Sequence, residues 1–238
     1  MPVSVKDQVV LIVGASSGIG RATAALFARQ GALVTASARR QDRLDALRQE
    51  FPSIETVAAD AARVADMQKL AQQVLSKHGH IDILIYSAGT NIKDRTMKRL
   101  NPELWDMMVS VNLNSAYYIT HAVLPSMRER KAGHLIYVSS ISGLAPDVSG
   151  AAYQAAKRGL LGLAHAIRME EKEHNIRTCV ICPGLVDTEI LENRPVKPTP
   201  ETLAQALQPA DVAEAALAIA QLPPRACIPE MQLVPTTL

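Results

Sequence analysis

Short apolar runs alternate along the chain with longer helix-like stretches. The runs are rich in Val, Ile and Leu without regular polar positions, which is typical of strands covered on both faces. We predict strands at residues 8–13, 32–38, 54–59, 82–88, 134–140 and 176–182, with a further candidate at 231–235. We predict helices at residues 18–30, 40–50, 63–78, 101–131 (as two helices) and 152–174.

This alternation of strand and helix predicts the fold class. Repeated βαβ units form a parallel sheet, and right-handed crossovers place helices on both faces. We therefore predict a doubly wound parallel α/β sheet that forms one domain over residues 1–238. The Pro-rich stretch at 195–200 is predicted to be a loop or short lid rather than a domain boundary.

Composition and charge narrow the class of protein. The 238 residues are 48% hydrophobic and 20% charged, with a net charge of +2, which excludes a disordered or collagen-like chain. The small charge and the lack of a long Lys/Arg run argue against nucleic acid as a partner. No apolar run is long enough for a membrane span or a signal peptide. We predict a cytoplasmic, globular protein.

Cysteine and histidine spacing predicts no metal site. Cys179 and Cys182 stand three residues apart on a predicted strand, so their side chains should point to opposite faces. Three cysteines make no disulfide framework, and the six histidines show no ligand spacing such as H-E-x-x-H. We predict two buried thiols and no bound metal.

A glycine-rich sequence, VGASSGIG at 13–20, joins the first predicted strand to the first predicted helix. Gly14, Gly18 and Gly20 permit positive φ and let the backbone and a helix N-terminus approach a pyrophosphate. A tight turn of small residues also forms without a ligand, so the position in the first βα turn is what favours a dinucleotide. No Lys-Ser/Thr pair follows, which excludes an ATPase-type phosphate loop.

The end of the second predicted strand bears on the choice between NADP and NAD. An acidic residue there would bind the ribose hydroxyls and favour NAD, but the first acid is Asp42. Arg39 can instead pair with a 2′-phosphate, helped by the hydroxyls of Ser16 and Ser17. The alternative is that Arg39 and Arg40 form a solvated basic start to the next helix. We predict NADP(H) in preference to NAD(H).

Tyr153 and Lys157 are four residues apart in a predicted helix, so they share one helix face. An ammonium beside a phenol favours the phenolate, and we predict that the pKa of Tyr153 falls from near 10 towards neutrality. Tyr153 would then be a usable general acid or base, although a Tyr–Lys pair at this spacing is also common on helix surfaces. Ser140, at the end of a predicted strand, can hydrogen-bond a substrate carbonyl.

These motifs, together with YSAG at 86–89, Asn112 and PGLVDT at 183–188, resemble the short-chain dehydrogenase/reductase family over residues 6–190. The resemblance implies a Rossmann-like fold, a homo-oligomer (dimer or tetramer) and an oxidoreductase, and Arg39 makes NADP(H) the expected cofactor. Such an enzyme interconverts a small carbonyl compound, for example a ketone, an aldehyde or a 3-oxoacyl compound, and its alcohol. The alternatives are an NAD-dependent alcohol dehydrogenase, an isomerase or dehydratase of the family, and a non-catalytic nucleotide-binding sensor.

The resemblance also implies roles for single residues. Tyr153 is similar to the family's proton donor, Lys157 to the residue that lowers its pKa and binds the nicotinamide ribose, and Ser140 to the group that polarises the carbonyl. Asn112 is similar to the residue that holds a water between the lysine and solvent. The expected cofactor-binding residues are Gly14, Ser16, Ser17, Gly18, Ile19, Gly20, Arg39, Asp60, Ser87, Ala88, Gly89, Tyr153, Lys157, Pro183, Gly184, Val186 and Thr188.

Some positions leave alternatives open. Asp60, at the end of the third predicted strand, either receives the adenine amino group or caps a turn. Val13 and Tyr86-Ser87 stand where the family usually has Thr and Asn-Asn, which hold two turns together. Tyr86 is either a core aromatic or lies near the adenine. The family resemblance implies that the segment at about 189–209 sets the substrate.

Overall fold

The computed structural model describes residues 2–237, and these contain seven strands. The strands are β1 (Val9–Val13), β2 (Leu33–Ala38), β3 (Glu55–Ala58), β4 (Ile83–Tyr86), β5 (Gly133–Val138), β6 (Ile176–Pro183) and β7 (Glu230–Leu233). All pair in parallel in one sheet of order β3-β2-β1-β4-β5-β6-β7. Every predicted strand is present, including the candidate near the C-terminus, and the doubly wound α/β fold is confirmed.

Helices cover both faces of the sheet. Within the described residues they are α1 (Gly18–Arg29), α2 (Gln41–Glu50), α3 (Val64–His78), α4 (Pro102–Val109), α5 (Ser115–Arg130), α6 (Ala151–Glu170), α7 (Pro200–Gln205) and α8 (Pro209–Ala220). The predicted helix at 152–174 ends at Glu170 and is followed by a 3₁₀ turn, Lys172–His174. None of the helices in residues 2–237 has the length and apolar character that crossing a bilayer requires.

Helices α7 and α8 are elements that the sequence analysis did not predict. The Pro-rich stretch is irregular only as far as Thr199, because Pro200 already begins α7. Helix α8 carries ordinary start signals, since Pro209 opens it and the Asp211 carboxylate accepts the Gln208 backbone N–H at 2.7 Å.

Two apolar layers lie on either side of the sheet. Alternate residues of a strand point to opposite faces, so Leu11 belongs to one layer and Ile12 to the other. The first layer packs α3, α5 and α6 on the sheet, and the second packs α1 and α8. Cys182 lies in the first and Cys179 in the second, so the prediction that the two buried thiols point to opposite faces is confirmed.

Helix α4 passes into α5 through a π-helical turn, Ser110–Asn114, so the two predicted helices form one continuous run. The widened turn lets the Val111 carbonyl accept two side-chain hydroxyls, from Tyr86 at 2.8 Å and from Ser115 at 2.7 Å. Tyr86 is fully buried at the end of β4. It is therefore a core aromatic that ties β4 to the π turn, rather than an adenine contact.

Candidate active site

A cleft of about 430 Å³ opens at the carboxyl ends of the strands, where the strand order reverses between β1 and β4. Its volume lies within the range of small-molecule and cofactor sites. Ligands bind at this edge of doubly wound sheets because the crossovers leave β1 and β4 in opposite directions there. All the predicted site residues line the cleft except Gly20 and Asn112, which lie behind its surface.

The glycine turn between β1 and α1 packs closely against the turn that follows β4. Gly14 and Gly18 have φ of +94° and +52°. A Cβ on Gly14 would lie 2.4 Å from the Ala88 backbone nitrogen, and one on Gly20 would lie 2.2 Å from the Gly14 carbonyl oxygen. Ser17 precedes α1, and its side chain caps no helix N–H within residues 2–237. The first-turn N–H groups are therefore available to an anion in the cleft.

The arginine that reaches this turn is Arg40. Its guanidinium donates to Ser17 Oγ at 2.7 Å and to Ser16 Oγ at 3.0 Å, and it pairs with Glu189 at 2.8 Å. Arg39 is exposed and lines the same cleft. Successive residues of extended backbone project to opposite sides, so spacing alone did not show which arginine faces the serines. The predicted cluster of one guanidinium and two hydroxyls is present, with Arg40 in place of Arg39.

Asp60 follows β3 and lines the cleft, and the sequence left two roles open for it. Its Oδ1 accepts the Ala62 backbone N–H at 3.1 Å, and its own N–H donates to Asp66 Oδ2 at 3.0 Å. The turn-capping role is therefore confirmed, because these bonds fix the chain between β3 and α3. Asp60 also lines the cleft, and its contact with adenine stays a prediction.

Tyr153 and Lys157 lie on one face of α6, as their spacing predicts. Lys157 Nζ lies 5.6 Å from the centre of the Tyr153 ring and donates to the Val138 carbonyl at 3.1 Å. Burial raises the pKa of Tyr153 to about 12, although a hydrogen bond with Ser140 lowers it. Burial lowers the pKa of Lys157 to about 8. The predicted fall of the Tyr153 pKa is therefore wrong, because loss of solvation outweighs the favourable neighbours.

Ser140 begins a chain of hydroxyls that ends on a carboxylate. Ser140 Oγ lies 3.1 Å from Ser142 Oγ, which lies 2.5 Å from Asp147 Oδ2. Ser149 also donates to Asp147, through its N–H at 2.8 Å and its hydroxyl at 3.0 Å. An ionised carboxylate only accepts, so Ser142 donates to Asp147 and in turn accepts from Ser140. The charge of Asp147 thus sets the direction of the Ser140 hydroxyl.

Asn112 lies fully buried in the π turn. Its Oδ1 accepts the Thr90 N–H at 3.0 Å, and its Nδ2 donates to the Met108 carbonyl at 2.8 Å. A Cβ on Gly89 would lie 3.1 Å from Asn112 Oδ1 and 3.3 Å from Lys157 Nζ. The structure therefore brings Asn112 and Lys157 to the same glycine, where a side chain would crowd both.

The segment after β6 closes over the glycine turn. A Cβ on Gly18 would lie 3.1 Å from Thr188 Cγ2. Val186 pairs with Leu207 in a parallel bridge, which anchors the far end of the predicted substrate segment at 189–209. This anchoring brings part of the segment to the wall of the cleft.

Two arginines near Tyr153 were not found by sequence reasoning. Arg95 is 6% exposed, donates through Nε to the Ile92 carbonyl at 3.0 Å, and also donates to the Asn193 carbonyl. Arg194 lines the cleft beside Asn193. Neither arginine belongs to a spaced motif, and both come to the cleft through tertiary packing.

The sequence predicts no metal site, and the Asp, Glu, His and Cys side chains of the described residues are spread through the fold. Within residues 2–237, no three His, Cys, Asp or Glu side chains lie close enough together to hold a metal ion. Burial raises the pKa of Cys179 to about 12 and that of Cys182 to about 11, so both remain protonated thiols at neutral pH. The chemistry available to the described residues is therefore concentrated in the cleft.

Two solved structures resemble this chain over nearly its whole length. The closed form of serine dehydrogenase complexed with NADP⁺ has a TM-score of 0.88 and 30% identity, covering 95% of this chain and 94% of that one. A metagenomic short-chain oxidoreductase in complex with NADP has a TM-score of 0.85 and 30% identity, covering 99% and 100%.

Sequence comparisons agree with this likeness. The 3-oxoacyl-[acyl-carrier-protein] reductase of Thermotoga maritima is 33% identical over 196 residues, covering 81% of this chain and 79% of that protein. The family model described as short chain dehydrogenase matches residues 8–198, which include the glycine turn, Asn112, Ser140, Tyr153 and Lys157. Because that match spans most of the chain, the protein belongs to the short-chain dehydrogenase/reductase family of oxidoreductases.

Proposed function

We propose that the protein is an NADP(H)-dependent oxidoreductase that interconverts a carbonyl compound and a secondary alcohol. The observation that carries the proposal is the meeting of Ser140, Tyr153 and Lys157 in the same cleft as the glycine turn. Two of its solved relatives are complexes with NADP, which supports the choice of cofactor.

The residues at the glycine turn fit such a dinucleotide. The positive φ of Gly14 and Gly18 and the free first turn of α1 suit a pyrophosphate. Arg40, with the hydroxyls of Ser16 and Ser17, presents the donors that a 2′-phosphate requires. Bound NADPH would supply the hydride for the carbonyl carbon.

Tyr153 is suited to give the proton in the reductive direction. With a pKa of about 12, the phenol stays protonated at neutral pH until a strongly basic alkoxide develops next to it. Lys157 has a pKa of about 8 and is mainly protonated at pH 7, so its charge stabilises the phenolate left behind. The Ser140 hydroxyl, which donates to Ser142 in this structure, would turn to donate to the carbonyl oxygen and hold it in reach of the phenol.

The experiment is NADPH oxidation by the purified protein with a panel of ketones, aldehydes, quinones and 3-oxoacyl thioesters. Tyr153→Phe is expected to lower turnover by about 10³-fold while the NADPH dissociation constant changes by less than about threefold. Tyr117→Phe is the matched control, because Tyr117 is 49% exposed on α5 and lies outside the cleft. Equal turnover by wild type and Tyr153→Phe would overturn the assignment. Tight NADPH binding without turnover on any substrate would favour the non-catalytic sensor.

A further inference from the structure

We propose that the substrate carries an anionic group, in the first instance a carboxylate, which Arg194 and Arg95 bind beside Tyr153. The inference rests on the proposed function and names the substrate class of that same site. It starts from two guanidinium groups that the fold places at the phenol end of the cleft.

The two guanidinium groups repel each other and lack acidic partners. The charge of Arg194 opposes that of Arg95: burial lowers the pKa of Arg95 first, and Arg194 lowers it further. Within residues 2–237, no Asp or Glu oxygen lies within 4.0 Å of either guanidinium group. Like charges held together at a cleft are unfavourable until an anion joins them.

Arg95 is held rigidly enough to act as one side of an anion site. Arg95 donates through Nε to the Ile92 carbonyl and through Nη2 to the Asn193 carbonyl. Its Nη1 has no acceptor among the described residues. Gly150, with φ of +92°, packs behind it, because a Cβ there would lie 2.7 Å from Arg95 Cβ. The bond to Asn193 also fixes the chain immediately before Arg194. Arg95 therefore offers a free donor and holds the backbone that carries Arg194.

The nearest carboxylate at this end of the cleft does not satisfy the two arginines. Asp147 lines the cleft, and its charge favours the protonated form of Arg95. However, its oxygens already accept the Ser142 and Ser149 hydroxyls and the Ser149 N–H. Arg95, Arg194 and Asp147 all act on the pKa of Tyr153, and Lys157 Nζ lies 5.6 Å from the centre of its ring, so three cations and one carboxylate surround the phenol. The balance of charge around Tyr153 is positive, which suits an anionic substrate.

A carboxylate is the group that this arrangement recognises best. Guanidinium groups bind carboxylates through paired N–H donors, and partial burial strengthens such charge-assisted bonds. Because both arginines line the cleft and lie near enough to Tyr153 to lower its pKa, we place the carboxylate within a few bonds of the reacting carbonyl. The substrate class is therefore a short oxo acid, and the product is the corresponding hydroxy acid.

The first measurement compares 3-oxobutanoate with its methyl ester in NADPH oxidation. Wild type is expected to prefer the acid by about 10- to 100-fold in kcat/KM. Arg194→Gln should reduce this ratio to below about threefold, mainly through the KM of the acid, and Arg194→Lys should restore part of it. Lys197→Gln is the matched control, since Lys197 pairs with Glu192 on the same segment but lies outside the cleft.

The second measurement needs no turnover. Butyrate and butyramide are titrated by calorimetry into the protein saturated with NADP⁺, and wild type is expected to bind butyrate at least about tenfold tighter. Arg194→Gln should abolish the difference. Equal binding of the two probes by wild type, or a difference that survives Arg194→Gln, would overturn the anion site. Turnover of acid and ester at equal rates would overturn the inference while leaving the proposed function intact. Tighter binding of butyrate than of butyramide, without turnover of any substrate, would support the anion site and overturn the proposed function.

Discussion

The two ends of the cleft hold their charges in different ways. At the glycine turn, Arg40 and Glu189 have side chains that are 43% and 47% exposed, so their ion pair stays in contact with water and can exchange partners at little cost. At the other end, Lys157 is 4% exposed, and burial moves the pKa of both Lys157 and Tyr153. The difference teaches that the proposed recognition of a cofactor phosphate would depend on a few exposed side chains, whereas the proposed proton transfer would depend on burial by the whole fold.

The largest expected effect comes from Gly14→Ala, which would push the glycine turn away from the turn after β4. A Cβ at φ of +94° is strained, and it would lie 2.4 Å from the Ala88 nitrogen. We expect a loss of about 2–5 kcal/mol in the free energy of unfolding by urea, and NADPH binding weakened by at least about 100-fold. Gly162→Ala is the control, because its Cβ would meet nothing within 4 Å. That change should stabilise the helix by about 0.5–1 kcal/mol. Equal urea midpoints for both variants would contradict the close approach of the two turns.

Arg40→Gln tests which arginine recognises the 2′-phosphate. We expect the dissociation constant for NADPH to rise about 10- to 100-fold and that for NADH to change by less than about threefold. Arg39→Gln is the matched variant at the neighbouring position, with an expected change below about threefold for both. A larger effect at Arg39 than at Arg40, measured by NADPH fluorescence titration, would reverse the assignment.

Lys157, at the buried end of the cleft, should determine how kcat/KM for reduction depends on pH. Since burial lowers the pKa of Lys157 to about 8, its ammonium is lost as the pH rises through that value. We expect kcat/KM to fall about tenfold per pH unit above pH 8, while Tyr153 stays protonated.

The free energy of unfolding should change with pH in the opposite direction to kcat/KM. The native lysine binds fewer protons than the unfolded one between pH 8 and about 10.5, so stability gains with pH in that window. A kcat/KM profile that stays level to pH 10 would argue against this role of Lys157.

Asp147→Asn gives the smallest expected effect, because it changes the direction of a hydroxyl rather than removing a catalytic group. The amide can donate to Ser142, so the Ser140 hydroxyl loses its fixed orientation. We expect kcat to fall about three- to tenfold with the NADPH dissociation constant unchanged. Asp94→Asn is the control on an exposed ion pair. If Asp147→Asn and Ser142→Ala act through one chain, the double variant should be no worse than either single one.

Most of the sheet could be predicted from sequence because its strands are buried on both faces. Runs such as QVVLIV at 8–13 are therefore apolar throughout and easy to recognise. The glycine turn, Ser140 and the Tyr153–Lys157 pair could be located because they lie at fixed offsets from those strands. Helix α7 was missed because the segment at about 189–209 was interpreted as a substrate loop, and helix α8 was missed although Pro209 and Asp211 mark its start.

The remaining features depend on contacts between distant parts of the chain. Arg95 reaches the cleft by donating to Asn193, which lies 98 residues further on. The fall predicted for the Tyr153 pKa was wrong because spacing shows which charge is near but not how much water is lost. Which of Arg39 and Arg40 contacts Ser16 and Ser17 depends on the backbone direction after β2, which no local sequence pattern reports.

The π turn at Ser110–Asn114 makes the length of this helical run intolerant of small changes. Each residue of an α-helix advances the chain by about 100° around its axis. Deleting one residue of α4 or α5 would rotate one half of the run against the other by about that angle, and deleting one residue of the wide turn would close it to a regular helical turn. Asn112 would then swing away from Gly89, and the Val111 carbonyl would return to ordinary helical bonding. Insertions and deletions here should therefore be rare among functional variants, even where substitutions on the outer surface of the same helix are tolerated.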